Sequence, residues 1–249
     1  MGLSVVRPEF VPDSSLTHQE MESLQREISD AAIFQDGFDG TALTAENTGS
    51  QPIVAGIDQA FDADQATSAI VVMQNGNVIE RTHATTEAVI PYIPGLLSFR
   101  EGNSILEALE TLDTSPDLLL VDGSGRIHFR EAGLATHIGV TVDCSAIGVA
   151  KSLLCGHPTS SLSEPLPEGA TVPIEADDSV TAPTGTVIGY AVQTRQYDSG
   201  NRYINPLYVS PGHRVNAETA ASLVQQCTQG YKLPEPIWLA DKYAGEMTS

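Results

Sequence analysis

Leu118-Leu119-Leu120-Val121-Asp122-Gly123-Ser124-Gly125 is the stretch on which the fold turns. Successive side chains of a strand point to opposite faces, so four apolar residues in a row need cover on both sides. That is the signature of a buried parallel strand. Asp122 then stands at its carboxyl end, where open α/β sheets gather their ligand sites. The glycines that follow let backbone come close to a ligand, although glycine pairs in turns are common and the motif is weak alone.

Upstream, Pro91-Tyr92-Ile93-Pro94-Gly95 holds two prolines too close together for regular helix or central strand. A helix is expected after it, to about Leu112. Before that lies a three-strand meander: Ile53 to Phe61, Ala69 to Met73, and a third strand from Val78. Asn75-Gly76 between the last two is a strong hairpin signal, because both residues tolerate positive φ. Residues 1–50 are polar and acidic with one clear helix. Thr17-His18-Gln19-Glu20 fits a capping box, and Met21, Leu24, Ile28 and Ala31 follow at helical spacing to about Ile33. Asp36 to Gln51 reads as loop.

Downstream, Val140 to Val142 and Ile147 to Val149 read as short strands, and Val187 to Thr194 and Leu207 to Val209 as late ones. Asn216 caps a final helix bearing Ala220, Leu223, Val224 and Cys227. Residues 158–185, rich in proline and acids, read as an extended acidic insertion on the surface. An antiparallel meander, a helix, a buried parallel strand and then alternating elements imply an α/β fold. Its mixed sheet carries helices on both faces, an order that suits a ribonuclease H-like architecture. Nothing reads as a linker, so residues 1–249 are taken as one domain.

The formal net charge is -20, with only 3 lysines, Lys151, Lys232 and Lys242. The chain is apolar enough to fold, which excludes the disorder reading of such charge. A solvated acidic shell poor in lysine suits molar salt. Acidity of this kind argues against a nucleic-acid partner in dilute buffer, but at 1 M salt the Debye length is about 3 Å and the repulsion is screened. Cys144, Cys155 and Cys227 match neither a disulfide framework nor a zinc site, as expected in a reducing cytoplasm. No apolar run approaches membrane-spanning length, and no signal peptide is visible.

Three carboxylates fall where carboxylates are costly. Asp58 closes the apolar Val54-Ala55-Gly56-Ile57, and Asp122 closes Leu118 to Val121. Glu101 shares a helical face with Ile105, Ala108 and Leu112, so it points at the sheet, whereas Glu107 and Glu110 face solvent. Each has a plainer reading: Asp58 and Asp122 as turn residues, Glu101 paired with Arg126 or Arg130. Together they fit one oxygen-ligand cage for Mg²⁺, with Mn²⁺ as substitute. Such a site polarises phosphate and activates water. Lys151, at a strand end, is placed to meet a phosphate, or is a surface lysine. His213, in Ser210-Pro211-Gly212-His213-Arg214 before a helix, and His128 are either site residues or structural histidines.

Taken together these segments resemble the endonuclease V family. The resemblance is carried by Val54 to Asp58, by Pro91-Tyr92-Ile93-Pro94-Gly95-Leu96-Leu97-Ser98-Phe99-Arg100-Glu101, and by Leu120 to Gly125 with His128. Gly133 to Gly139, Ile147 to Ser152 and Ser210 to Arg214 complete the set, in family order over about residues 15–240. The resemblance implies a DNA-repair endonuclease from a halophilic archaeon. Asp58, Glu101 and Asp122 become metal-binding catalytic acids, with His213 nearby. Pro91, Tyr92, Ile93 and Pro94 become a wedge, Tyr92 taking the space of the damaged base. A pocket near Gly123, Gly125, His128 and Gly148 would accept hypoxanthine, and cleavage would fall at the second phosphodiester 3′ to deoxyinosine. Ser124 and Phe129 depart from the His and Pro of many relatives. A ribonuclease acting on inosine in RNA is the alternative. A non-cleaving inosine binder is the third reading, and the intact acid set argues against it. The enzyme is expected to be a cytoplasmic monomer with no membrane contact.

Overall fold

The computed structural model describes residues 2–37, 51–198 and 202–248. The loop expected over Asp36 to Gln51 lies largely outside the described residues. One sheet of 9 strands organises the rest. In chain order its strands are β1 (Val54–Asp62), β2 (Gln65–Gln74), β3 (Asn77–Glu87), β4 (Leu118–Asp122) and β5 (Ser145–Ala150). Then come β6 (His157–Pro158), β7 (Thr171–Glu175), β8 (Val187–Val192) and β9 (Leu207–His213). The spatial order is β3-β2-β1-β4-β5-β9-β8-β7-β6. β4 runs parallel to both β1 and β5, and the other neighbours are antiparallel.

Leu118 to Val121 are fully buried at the centre, as a run apolar on both faces requires. Alternation divides their surroundings. Ala55, Ile57, Leu119 and Val121 face α2 (Leu97–Glu110) and α3 (Leu134–Thr141). Val54, Leu118 and Leu120 face α4 (Ala217–Gln226) and α5 (Glu235–Met247). Helices thus cover both faces, the ribonuclease H-like arrangement. α1 (His18–Ala31) packs beyond α3, and Thr17 and Glu20 form the capping box. Asn75 and Gly76, with φ of 53° and 72°, turn the hairpin between β2 and β3.

Three expectations fail. Val140 and Thr141 close α3 and form no strand. Every residue of α3 is buried, Thr136, His137 and Thr141 included, so its sequence shows no apolar stripe at helical period. The helix capped by Asn216 is not the last, because α5 follows. Pro234 and Pro236 hide its start, yet proline is tolerated in a first turn where no N–H partner exists. Finally, residues 158–185 are not all surface. β7 lies within the sheet, and Val172, Ile174, Val180 and Ala182 pack with Ile127, Cys155, Ile188 and Ala191 in a separate core.

Candidate active site

The carboxyl edge of the central strands collects the chemistry. Ile57 pairs with Val121, so Asp58 and Asp122 follow side by side on adjacent parallel strands. By alternation both side chains turn toward the α5 face. Asp58 is 6% exposed. Its Oδ1 accepts the Gln59 N–H at 2.7 Å, while Oδ2 is buried without a hydrogen-bond partner. Burial, reinforced by the Asp122 charge, pushes Asp58 up to about 8.

Glu101 reaches the same edge from α2, on the opposite face, and is also 6% exposed. Ile105, Ala108 and Leu112 below it are buried, as its helical stripe predicts. Burial raises Glu101 to about 8, with Arg100 opposing and Asp122 adding. The plainer pairings do not form: Arg126 bonds Glu131 at 2.9 Å, and Arg130 bonds Glu22 at 2.9 Å.

Lys151, just past β5, donates from Nζ to Asp122 Oδ2 at 2.5 Å. Burial works to lower its pKa, but the Asp122 charge and hydrogen bond outweigh this and raise it. Its ammonium is the local counter-charge to the acids. No group of three His, Cys, Asp or Glu side chains among the described residues is gathered closely enough to hold a metal ion without rearrangement. The orphaned Asp58 Oδ2 and the raised Asp58 and Glu101 nonetheless mark groups that a divalent cation would satisfy, since buried acids hold protons unless a positive charge faces them. The residues fit a hard, oxygen-preferring divalent ion.

A fourth carboxylate was not anticipated. Asp241 on α5 stands close enough for its charge to raise both Asp58 and Lys151. Gly56 makes this approach possible, because a Cβ there would overlap the backbone of Pro236 and Ile237. A glycine two residues before Asp58 in the same strand was the sequence signal for a helix crossing there.

Beside the acids lies a cavity of about 180 Å³, lined among others by Tyr92, Gly95, Ser98, Gly123, Ser124, His128, Ala150 and Ser152. Tyr92 is 64% exposed. Pro91, Ile93 and Pro94 do not line the cavity, and neither do Gly125 and Gly148. The last two have a packing role: a Cβ on Gly148 would strike the 123–125 backbone, and one on Gly125 the Pro211 carbonyl. His128 touches the cavity but both ring nitrogens are engaged. Nε2 meets the Gly95 carbonyl at 3.0 Å and Nδ1 accepts the Arg130 N–H at 3.2 Å. Burial lowers His128 to about 4, so the ring is neutral. Gln25 of α1 donates to the same Gly95 carbonyl at 2.8 Å and accepts from Arg130 Nε at 2.7 Å. These bonds anchor the end of the 91–95 segment.

His213 is a correction. It pairs with Ala146, whereas Asp122 pairs with Val149, three residues further along β5. At about 3.3 Å per residue that is roughly 10 Å from the acid edge. His213 is fully buried, accepts the Ile33 N–H at Nδ1 and donates from Nε2 to Asp143. β9 runs antiparallel to β5, which carries its glycine–histidine end to the opposite edge. A position before a helix could not reveal strand direction.

With this geometry in place, the sequence pattern of the family described as Endonuclease V matches residues 40–242. The chain belongs to the endonuclease V family. It is therefore a nuclease that hydrolyses phosphodiester bonds, and metal dependence is general in the family. The Endonuclease V of Haloarcula marismortui, a halophilic archaeon, is 60% identical, with 99% of this chain and 98% of that protein covered. The crystal structure of the Endonuclease V from Streptomyces avermitilis superposes with a TM-score of 0.75 at 30% identity, covering 99% of this chain and 97% of that one. The Ciona intestinalis Endonuclease V is similar at 26% identity and a TM-score of 0.72, covering 92% and 96%. That structure is a complex with a 24mer DNA containing an inosine followed by a ribo-adenosine. No helix among the described residues is long and apolar enough to cross a membrane.

Proposed function

We propose that this enzyme is a deoxyinosine-directed DNA-repair endonuclease that cuts the second phosphodiester 3′ to the lesion. The observation that carries the reading is the buried, partnerless Oδ2 of Asp58 beside Asp122 on adjacent parallel strands, next to a cavity that Tyr92 helps to line. The inosine-containing DNA held by the Ciona relative supports the substrate. Asp58, Asp122, Glu101 and Asp241 would hold Mg²⁺, with Mn²⁺ able to replace it. When bound, the ion supplies charge for the phosphate and activates water. Lys151 would leave Asp122 to the ion and turn to the phosphate. Tyr92 fills the place of the extruded base, and Gly123 and Ser124 border the cavity that receives it. His128 positions Gly95 and is not a base contact. We place the enzyme as a monomer, one folded domain, in a salty cytoplasm.

The ribo-adenosine after the inosine in the Ciona complex favours a second reading, cleavage of inosine-containing RNA. Matched DNA and RNA oligonucleotides separate the two, because the 2′-OH is what differs. On DNA, Asp122→Asn should abolish nicking in Mg²⁺ while keeping affinity for the inosine duplex in Ca²⁺. Near-normal nicking by that variant would refute the site.

A further inference from the structure

All three lysines of this strongly acidic chain converge on one edge. Lys151 directly follows β5, beside Asp122. The Lys232 carbonyl accepts from Thr194 Oγ1 at 2.5 Å, and Thr194 lies two residues beyond β8. β8 is antiparallel to β9 and β9 to β5, so β8 ends at the edge where β5 ends. Lys242 follows Asp241 on α5. Burial lowers the Lys232 pKa and the charge of Lys151 lowers it further, so the two ammonium groups stand close enough for their charges to act on each other.

An aromatic stack joins them. Tyr231 lies on Trp238 with ring centroids 4.1 Å apart and planes 13° from parallel. Lys242 Nζ sits 3.8 Å from the Trp238 centroid. Tyr231 fills one face of the indole, so the ammonium occupies the other. Both faces of Trp238 are used, while Tyr231 is 49% exposed and keeps an outer face toward solvent. Among the described residues no ion pair engages Lys232 or Lys242, whereas Lys151 is paired with Asp122. In a chain with 32 acidic residues, the Lys242 ammonium rests on an aromatic face, and Lys232 meets Thr194 through its backbone carbonyl.

We propose that Tyr231, Trp238, Lys232 and Lys242 form a docking shelf for the nucleic-acid strand adjoining the carboxylate site. Tyr231 stacks its outer face on an unpaired base or a sugar of that strand. Trp238 backs it rigidly, and the two lysines meet the flanking phosphates. The arrangement suits high salt, because stacking on an aromatic ring tolerates ions that weaken phosphate contacts. The shelf rests on the endonuclease reading for its substrate, and its location rests on the fold.

Trp238 is the chain's single tryptophan, so its fluorescence reports on the shelf directly. The test titrates the whole protein with an inosine-containing duplex in Ca²⁺ and molar KCl, alongside nicking in Mg²⁺. Trp238 emission should change saturably. Tyr231→Ala should weaken binding about tenfold, and Tyr231→Phe, which keeps the ring, should stay within twofold of wild type. Lys242→Gln should reduce the log–log salt slope by about one. Unchanged emission at saturation, or Tyr231→Ala binding within twofold of wild type, overturns the shelf. A wild-type protein that binds through the shelf yet never nicks would instead overturn the endonuclease reading.

Discussion

Asp58 and Glu101 are held near 8 chiefly by burial, while an unfolded chain would give them the usual carboxylate range near 4. The folded state therefore keeps protons that the unfolded state has lost between those values. Their contribution to stability is complete below pH 4 and disappears as pH rises through about 8. With metal chelated, the thermal midpoint of Asp58→Asn should accordingly gain on wild type from pH 5 to pH 9, because the amide never has to ionise. Added Mg²⁺ should erase that gain by giving the wild-type carboxylates their counter-charge. Calorimetry across the pH series decides it, and a gap that ignores both pH and metal would remove Asp58 from the metal site. Glu101 was legible as a buried acid from its helical stripe alone. Asp241 was not, because its importance depends on which face of β1 it meets.

At the scale of elements, the site depends on α5 lying close over β1. The Gly56 position allows no Cβ against Pro236 and Ile237. Overpacking of this kind costs about 1–3 kcal/mol, more where backbone must move. Gly56→Ala should lower the thermal midpoint by about 3–10 °C, since ~1 kcal/mol shifts a domain of this size by about 2–4 °C. It should also cut nicking, because α5 carries Asp241 toward Asp58. A variant with wild-type midpoint and activity would mean that the contact is slack. The meander, the capping box and the Asn75-Gly76 turn were readable in advance, since each is specified by neighbours in sequence. α3 and α5 were not: one is buried on all sides, and the other begins between prolines.

For the whole molecule, charge and function oppose each other. A net charge of -20 repels itself in dilute buffer and repels phosphate as well. Salt screens both effects, so the thermal midpoint should climb from dilute to molar KCl, by about 2–4 °C for each ~1 kcal/mol of repulsion removed. Nicking should peak well above physiological ionic strength. Ordinary DNA binders lose affinity over that range with a slope near -0.9 per phosphate contact, and this enzyme, poor in basic residues, should lose far less. Unfolding and nicking followed together through the salt series provide the check. If both are best in dilute buffer, the acidic surface is no adaptation to salt.

Local pattern alone was enough for the buried strand, the hairpin, the capped first helix and the three acids, Asp58 within a strand, Asp122 at a strand end and Glu101 on a helical stripe. Each follows from side-chain period or turn chemistry within a dozen residues. Only the folded chain decided which groups meet. Antiparallel β9 carried His213 away from the acids. α5 brought in Asp241, and the packing of α5 and of the segment before it set Lys242 and Lys232 beside Tyr231 and Trp238. Strand direction and helix packing are set by contacts between segments distant in sequence, and no local pattern contains them.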